Sequence, residues 1–261
     1  MSKYKLIATD FDDTLLKDDK TISNYTKDTL LELKEKGYFI VGATSRNLLA
    51  SKSFFDINMF NYLILNNGSN IYDVKKSKCI YSNLFDKNII IELYNSYKDI
   101  CKNMIFSSLN HYYVLKNVED KIYNKKITNE TLTKDFVKLN IFFDSNYDLE
   151  SELLKIKNKY KELNSFIMKS NSNGNWITII PNNINKLTSI KWLINDLNIN
   201  TNEVIYFGDS TNDIQAIKEL GLGVAMKNAQ KEIKDIANEI TLYDNNNDGL
   251  ARFLNEKLGD K

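Results

Sequence analysis

Proline occurs once in this chain, histidine once and cysteine twice among 261 residues. Cys79 and Cys101 alone can build neither a disulfide framework nor a thiolate metal centre, and as two packed or half-exposed thiols they fit a reducing compartment. His111 has no second histidine to join it, so an imidazole metal site is excluded too. No apolar run approaches the roughly 20 residues that a bilayer span requires. Residues 1–3 lead straight into a strand without the apolar segment of a secretion signal. The expectation is a soluble cytoplasmic protein with no membrane partner. Charge of one sign is missing as well: 35 basic side chains face 34 acidic ones, so no overall field draws the protein to nucleic acid. An anionic ligand must be met by local groups.

What the chain does have is alternation. At its length it can bury the core of one large domain or of two modest ones. Over the first third, short apolar runs at 5–9, 38–43 and 62–65 alternate with amphipathic stretches, the pattern of parallel βαβ units. The spacing predicts a helix over 23–36 that stops at Gly37, and a hairpin over 71–81 that turns at 75–78. From about Leu84 strands come in pairs, which predicts an antiparallel α+β unit. Its helices are expected over 88–103 and along the Leu149, Leu153, Ile156, Tyr160, Leu163 face. Its strands are expected over 104–109, 111–115, 136–143, 165–169 and 176–180, while 118–133 gives no clear signal. After Pro181 single alternation resumes. Leu187, Ile190, Ile194 and Leu197 mark a helix, 204–207 a strand, Ile214, Ile217 and Leu220 a helix, and 222–226 and 240–242 short strands. The predicted architecture is an α/β core of residues 1–82 and 182–261 interrupted by an inserted domain over 83–181.

Two acidic motifs sit where such a core collects its ligands, at the ends of buried strands. Asp10-Phe11-Asp12-Asp13-Thr14 follows the first strand. Residues two apart on an extended chain share a side, so Asp10 and Asp12 can face one ligand while Phe11 turns inward. Gly208-Asp209-Ser210-Thr211-Asn212-Asp213 follows the strand at 204–207. Asp209 stands at its end and Asp213 in the first turn of the next helix. If the two strands are neighbours, Asp10, Asp12, Asp209 and Asp213 share one pocket mouth, and such crowded carboxylates call for a cation. Hard oxygen donors without His or Cys favour magnesium. The bland reading of these aspartates is helix capping and turn formation, and that of Thr44 and Lys186 taken alone is a turn hydroxyl and a solvated lysine. The segment 244–249 superficially resembles a calcium loop, but Asn255 occupies the place of the bidentate glutamate, and a polar loop before the last helix is expected instead.

Taken in order, these residues resemble motifs one and four of the haloacid dehalogenase superfamily. Thr44 resembles motif two, Lys186 at the head of a helix resembles motif three, and the insertion between them resembles the type C2B cap of the Cof-like subgroup. Asn67-Gly68, Val224-Ala225-Met226 with Asn228-Ala229, and Asp248-Gly249 resemble further pieces of that subgroup. Asp13, Ser45, Leu187 and Lys227 stand where it commonly carries glycine. The resemblance implies a Rossmannoid three-layer core with a mainly parallel sheet plus an α+β cap. It implies a magnesium-dependent phosphatase acting through an aspartyl-phosphate. Asp10 would be the nucleophile, Asp12 the acid and base, and Lys186 the fixed cation. Thr44, Ser45, Arg46, Asn67, Gly68 and Asn212 would bind phosphate or substrate. Asp10, Asp12, Asp209 and Asp213 would hold the metal, Asp12 through its main-chain carbonyl.

The implied partner is a small phosphorylated metabolite, with sugar phosphates favoured and nucleotides, flavin mononucleotide and pyridoxal phosphate next. The chain would act as a monomer or homodimer. A phosphomutase using the same intermediate is one alternative; a sugar-phosphate binding or regulatory protein without turnover is another.

Overall fold

The computed structural model describes residues 2–119, 122–123, 125–168 and 174–259. The chain forms two compact units, one of Met1–Arg46, Ser51–Tyr81 and Asn185–Lys261, the other of Asn47–Ala50 and Ser82–Ile184. Along the chain run β1 (Leu6–Thr9), α1 (Asn24–Glu35), β2 (Phe39–Ala43), α2 (Leu48–Phe54), β3 (Tyr62–Leu65), β4 (Asn70–Asp73) and β5 (Lys78–Ser82). Then come α3 (Lys87–Tyr97), β6 (Asn103–Ser107), β7 (Tyr112–Val114), β8 (Lys125–Lys126), β9 (Lys138–Phe142), α4 (Leu149–Lys159), β10 (Leu163–Met168) and β11 (Trp176–Pro181). The last are α5 (Lys186–Asp196), β12 (Val204–Gly208), α6 (Ile214–Glu219), β13 (Leu222–Ala225), α7 (Lys231–Ile236), β14 (Glu239–Ile240) and α8 (Gly249–Leu258).

The first unit is an α/β core whose sheet runs β14-β13-β12-β1-β2-β3-β4-β5. It is parallel from β14 to β3, and β4 turns back antiparallel on β3. Leu6, Ile7 and Ala8 on β1 and Val204 to Phe207 on β12 are fully buried, the unbroken apolar run expected of strands covered on both faces. The polar residues that follow β1, β2 and β12 therefore leave the sheet at one edge. Helix starts are fixed locally: Ser23 Oγ accepts from the Thr26 main chain ahead of α1, and Asn185 and Thr188 close a capping box at the head of α5. That box sets Lys186 as the first residue of its helix.

The second unit is a six-stranded sheet, β10-β11-β9-β6-β7-β8, antiparallel except where β8 joins β7. Ile90 and Leu93 of α3 and Leu153 and Ile156 of α4 share a core with Met104, Phe106, Leu139, Ile141, Ile177 and Ile179 of the strands. Here several expected boundaries are corrected. The helix expected over 88–103 stops at Tyr97, beyond which the Ile100 N–H returns to the Tyr97 carbonyl in a tighter three-residue turn. Asn103 then belongs to β6, opposite Phe142. Leu163 is a strand residue paired with Pro181 and not the end of a helix. Pro181 closes β11 beyond the stretch paired to β9, where no ladder N–H is needed. Lys169, expected to end a strand, lies outside the described residues, as does part of 118–133.

Candidate active site

The site grows from the adjacency of β1 and β12. Thr9 pairs with Phe207, and the Asp10 main chain donates to the Phe207 carbonyl at 3.0 Å, so the residues following both strands emerge side by side. Phe11 turns inward and is fully buried, its ring 4.9 Å from that of Phe55 and 5.4 Å from that of Phe60. A side chain at Gly208 would run into the Asp213 carboxylate, so glycine there lets Asp213 fold back under the strand end. Asp10, Asp209 and Asp213 then each bring a carboxylate oxygen within 4.8 Å of the others.

One ammonium pairs with two of them. Lys186 Nζ, fully buried, lies 2.8 Å from Asp10 Oδ1 and 2.8 Å from Asp213 Oδ1. Asp213 is saturated: Tyr206 donates its hydroxyl to Oδ1 at 2.6 Å, and the Asp209 and Ser210 main chains donate to Oδ2 at 3.1 and 3.2 Å. Thr14 Oγ1 donates to Asp209 Oδ1 at 2.8 Å.

Burial pushes the Asp10 carboxyl up to about 7, with Lys186 pulling down and Asp213 pushing up. Burial, then Asp10 and Asp213, push Asp209 to about 8. Lys186 is raised despite its burial, because Asp10 and Asp213 hold its proton. With three carboxylates around one ammonium, the fully ionised cluster would carry two negative charges in excess, which is why burial and mutual repulsion raise Asp10 and Asp209. It is made entirely of hard oxygen donors. That donor set and that charge fit a divalent cation, and the three carboxylates lie close enough together to surround one. The four donors already on Asp213 leave Asp10 and Asp209 as the carboxylates to coordinate it, a correction to the expectation that Asp213 is itself a ligand.

Asp12 lies in a different environment. Arg46 donates Nε to its Oδ2 at 2.9 Å and Nη2 to its Oδ1 at 2.6 Å, and Lys20 Nζ approaches Oδ1 at 3.1 Å. Burial works upward on the Asp12 carboxyl, but these two cations outweigh it and hold it below the usual range. Asp13 has φ +59, a left-handed turn that accounts for glycine being common at this place and that aspartate tolerates. Asn228 Nδ2 donates to its carbonyl at 2.6 Å.

Thr44 is buried and its Oγ1 accepts from the Arg46 main chain at 3.1 Å. The loops after β2 and β3 are laced together, Asn66 donating to the Arg46 carbonyl and Asn67 to the Thr44 carbonyl. Asn67 Oδ1 is buried with no partner among the described residues. Gly68, at φ +106, abuts the Asn185 carbonyl so closely that no side chain fits, and its own carbonyl accepts from Ser189 at 2.6 Å. The phosphate-loop candidates are thereby tied to the head of α5. Ser45 is half-buried in the same loop. Asn212 Oδ1 accepts from Ser210 Oγ at 2.9 Å.

Thus Asp10, Asp209, Asp213 and Lys186 come together, Asp12 and Arg46 pair, and Thr44, Asn67 and Gly68 form adjoining loops. Sequence reasoning missed Tyr206, which reads as one more apolar strand position, Thr14, which the first motif contained without a role, and Lys20.

A Rossmann-like core with a carboxylate cluster at its strand ends and an α+β unit inserted in its chain defines a known class of hydrolases. The chain belongs to the haloacid dehalogenase-like hydrolases, which it matches over residues 7–254. It is 30% identical to the 5-amino-6-(5-phospho-D-ribitylamino)uracil phosphatase YcsE of Bacillus subtilis, over 96% of this chain and 94% of that one. It is 28% identical to the phosphatase of the same description, YitU of Bacillus subtilis, over 98% of each of the two chains. Among solved structures it resembles a haloacid dehalogenase-like hydrolase from Bacteroides thetaiotaomicron, with TM-score 0.83, 25% identity and coverage of 98% and 100%. It is an enzyme, a phosphatase of the Cof-like subgroup. No helix among the described residues is long and apolar enough to cross a membrane.

Proposed function

We propose that this enzyme is a magnesium-dependent phosphatase that hydrolyses small phosphorylated metabolites through an aspartyl-phosphate on Asp10. The observation that carries this reading is the Asp10, Asp209, Asp213 cluster, two charges short of neutral around a single buried lysine.

Asp10 attacks phosphorus and the leaving alcohol takes a proton from Asp12; water then releases phosphate from Asp10 and returns its proton to Asp12. An anion attacking an anion is opposed by charge, so the rate depends on cations and donors fixed around the transferring oxygens. Lys186 is such a cation, held by Asp213, whose own four donors suit it to positioning. Thr44 and the main-chain amides of its loop supply neutral donors, and the unpaired Asn67 adjoins them. Asp10, Asp209 and the Asp12 main-chain carbonyl would hold magnesium, which when bound neutralises the excess charge and withdraws electron density from the phosphoryl oxygens.

Sugar and sugar-alcohol phosphates are the favoured substrates. Both Bacillus relatives are described by a phosphoribityl compound, so that compound heads the list to be tried. The deciding experiment is phosphate release over a panel of phosphorylated metabolites, with and without magnesium, beside Asp10→Asn. Release that needs both the metal and Asp10 is the expected result. Turnover that persists in Asp10→Asn or in metal-free buffer would overturn the mechanism.

A further inference from the structure

Lys20 stands in the turn that follows the first acidic motif. The turn is closed by its own main chain, Lys17 donating to the Thr21 carbonyl at 3.0 Å and Lys20 to the Lys17 carbonyl at 2.8 Å. At Lys20 the backbone has φ +64, a left-handed conformation that costs a side-chain-bearing residue energy and that glycine, asparagine or aspartate adopts more readily. That conformation brings Nζ to 3.1 Å from Asp12 Oδ1 and 3.4 Å from Asp13 Oδ1. From another loop, Arg46 binds both oxygens of Asp12, its guanidinium carbon 4.1 Å from the centre of the Phe54 ring. Two cations from separate loops thus fix the rotation of one carboxylate that is two residues along from Asp10. A half-exposed ion pair contributes little to stability, so stability alone is a poor reason for a lysine to hold a strained backbone. Strain of this kind concentrates where geometry matters to function.

We infer that Lys20 and Arg46 form a clamp that fixes the Asp12 carboxyl for proton transfer, with Lys20 a positioning residue for the reaction. The inference rests on the reading of Asp12 as proton carrier. In the first step the bond from Asp10 to phosphorus forms, the bond from phosphorus to the leaving oxygen breaks, and the Asp12 proton moves to that oxygen. In the second, water oxygen bonds to phosphorus, the bond to Asp10 breaks, and the proton of the water moves to Asp12. A basic alkoxide needs the first proton to depart, whereas p-nitrophenolate scarcely does. Because kcat/KM reports only the steps up to the aspartyl-phosphate, a displaced Asp12 must lower it for alkyl esters and spare it for aryl ones, whereas the second step is common to both and general loosening of the site lowers it for both.

The test is steady-state kinetics of the full chain with magnesium, on p-nitrophenyl phosphate and on whichever alkyl phosphate the release panel ranks first. The variants are Asp12→Asn, Lys20→Gly, Lys20→Met, Arg46→Ala and Arg46→Lys. Lys20→Gly removes the cation and relieves the left-handed residue together, so its melting temperature should match or exceed that of the wild type. Its kcat/KM on the alkyl ester should nonetheless fall by about tenfold, a fraction of what a general acid contributes, with kcat/KM on the aryl ester little changed. Lys20→Met should match it in kinetics, and Arg46→Lys should recover part of what Arg46→Ala loses. Equal losses on the two esters, or none on either, would overturn the clamp. If Asp12→Asn itself shows no preference for the aryl ester, or no ester releases phosphate, the underlying reading of Asp12 falls and the clamp with it.

Discussion

Each unit of this enzyme buries carboxylates, and it treats them in opposite ways. In the inserted unit Glu152 is 6% exposed. Its Oε1 accepts from the Tyr97 hydroxyl at 2.8 Å, and its Oε2 accepts from Tyr147 at 2.9 Å and from Lys155 Nζ at 3.0 Å. Burial works upward on Glu152, but these donors outweigh it and hold its carboxyl below the ordinary glutamate range. In the core Asp209 is 9% exposed, yet burial and two neighbouring carboxylates push it up to about 8. Solvent exposure is alike in the two places; Asp209 lies deeper beneath the surrounding protein, and it has neighbouring carboxylates where Glu152 has a lysine and two hydroxyls. A satisfied carboxylate ties α4 to α3 and to the loop that precedes α4. The unsatisfied cluster waits for something cationic, which is how a site differs from a scaffold.

The comparison breaks most visibly at Asp10. Asp10→Asn should lower kcat by about 10⁴-fold or more, the scale on which loss of a nucleophile is felt. The same change removes one of the crowded charges, so in metal-free buffer its melting temperature should rise above that of the wild type, a trade of activity against stability. Calorimetry and phosphate release on one preparation would check both. A fall in both quantities would mean that the cluster is not charge-strained. Lys186→Met goes the other way. It leaves Asp10 and Asp213 buried without their cation, and should cost about 3–5 kcal/mol of stability in urea unfolding as well as activity, the usual consequence of breaking a buried pair from one side.

Magnesium sharpens the same contrast. Saturating ion at about 100 times its dissociation constant should stabilise the wild type by about 2.7 kcal/mol. Asp209→Asn should lose that gain while keeping its fold, which thermal melts with and without the metal would show. An equal gain in Asp209→Asn would place the ion elsewhere.

Much of this was legible in the sequence for a physical reason: the chemistry sits in short contiguous motifs at the ends of strands that are apolar throughout. Asp10, Asp209 and Asp213 could be placed on one edge once two strands were taken as neighbours, and the β1 to β12 pairing makes them so. Lys186 was legible only through its order along the chain. Tyr206 was not, since on a strand buried on both faces a tyrosine that donates to Asp213 looks the same as one that merely packs. Lys20 was hidden because its partnership depends on a left-handed turn that its sequence does not announce. In the inserted unit, Ile100 and Cys101 continued a helical pattern although the chain had already turned at Tyr97. The exposure of Ile100, 55%, shows that this apolar position was not a core position at all.

The smallest effect falls on the satisfied carboxylate. Glu152→Gln keeps the shape and loses the charge, so hydrogen bonds to an ionised acceptor become neutral ones, at a cost of about 1–2 kcal/mol. Activity should be unchanged, because nothing in the Asp10 cluster depends on it. Its pH dependence identifies the cause. A carboxyl lowered in the folded state adds stability that is fully present above its unfolded value, near 4.5, and is lost as the pH falls through the folded value. The gap in melting temperature between wild type and Glu152→Gln should therefore be constant near neutrality and close on acidification below about 4.5. A gap that persists unchanged into acid would mean that Glu152 contributes by packing, and the contrast with Asp209 would then be one of shape and not of charge.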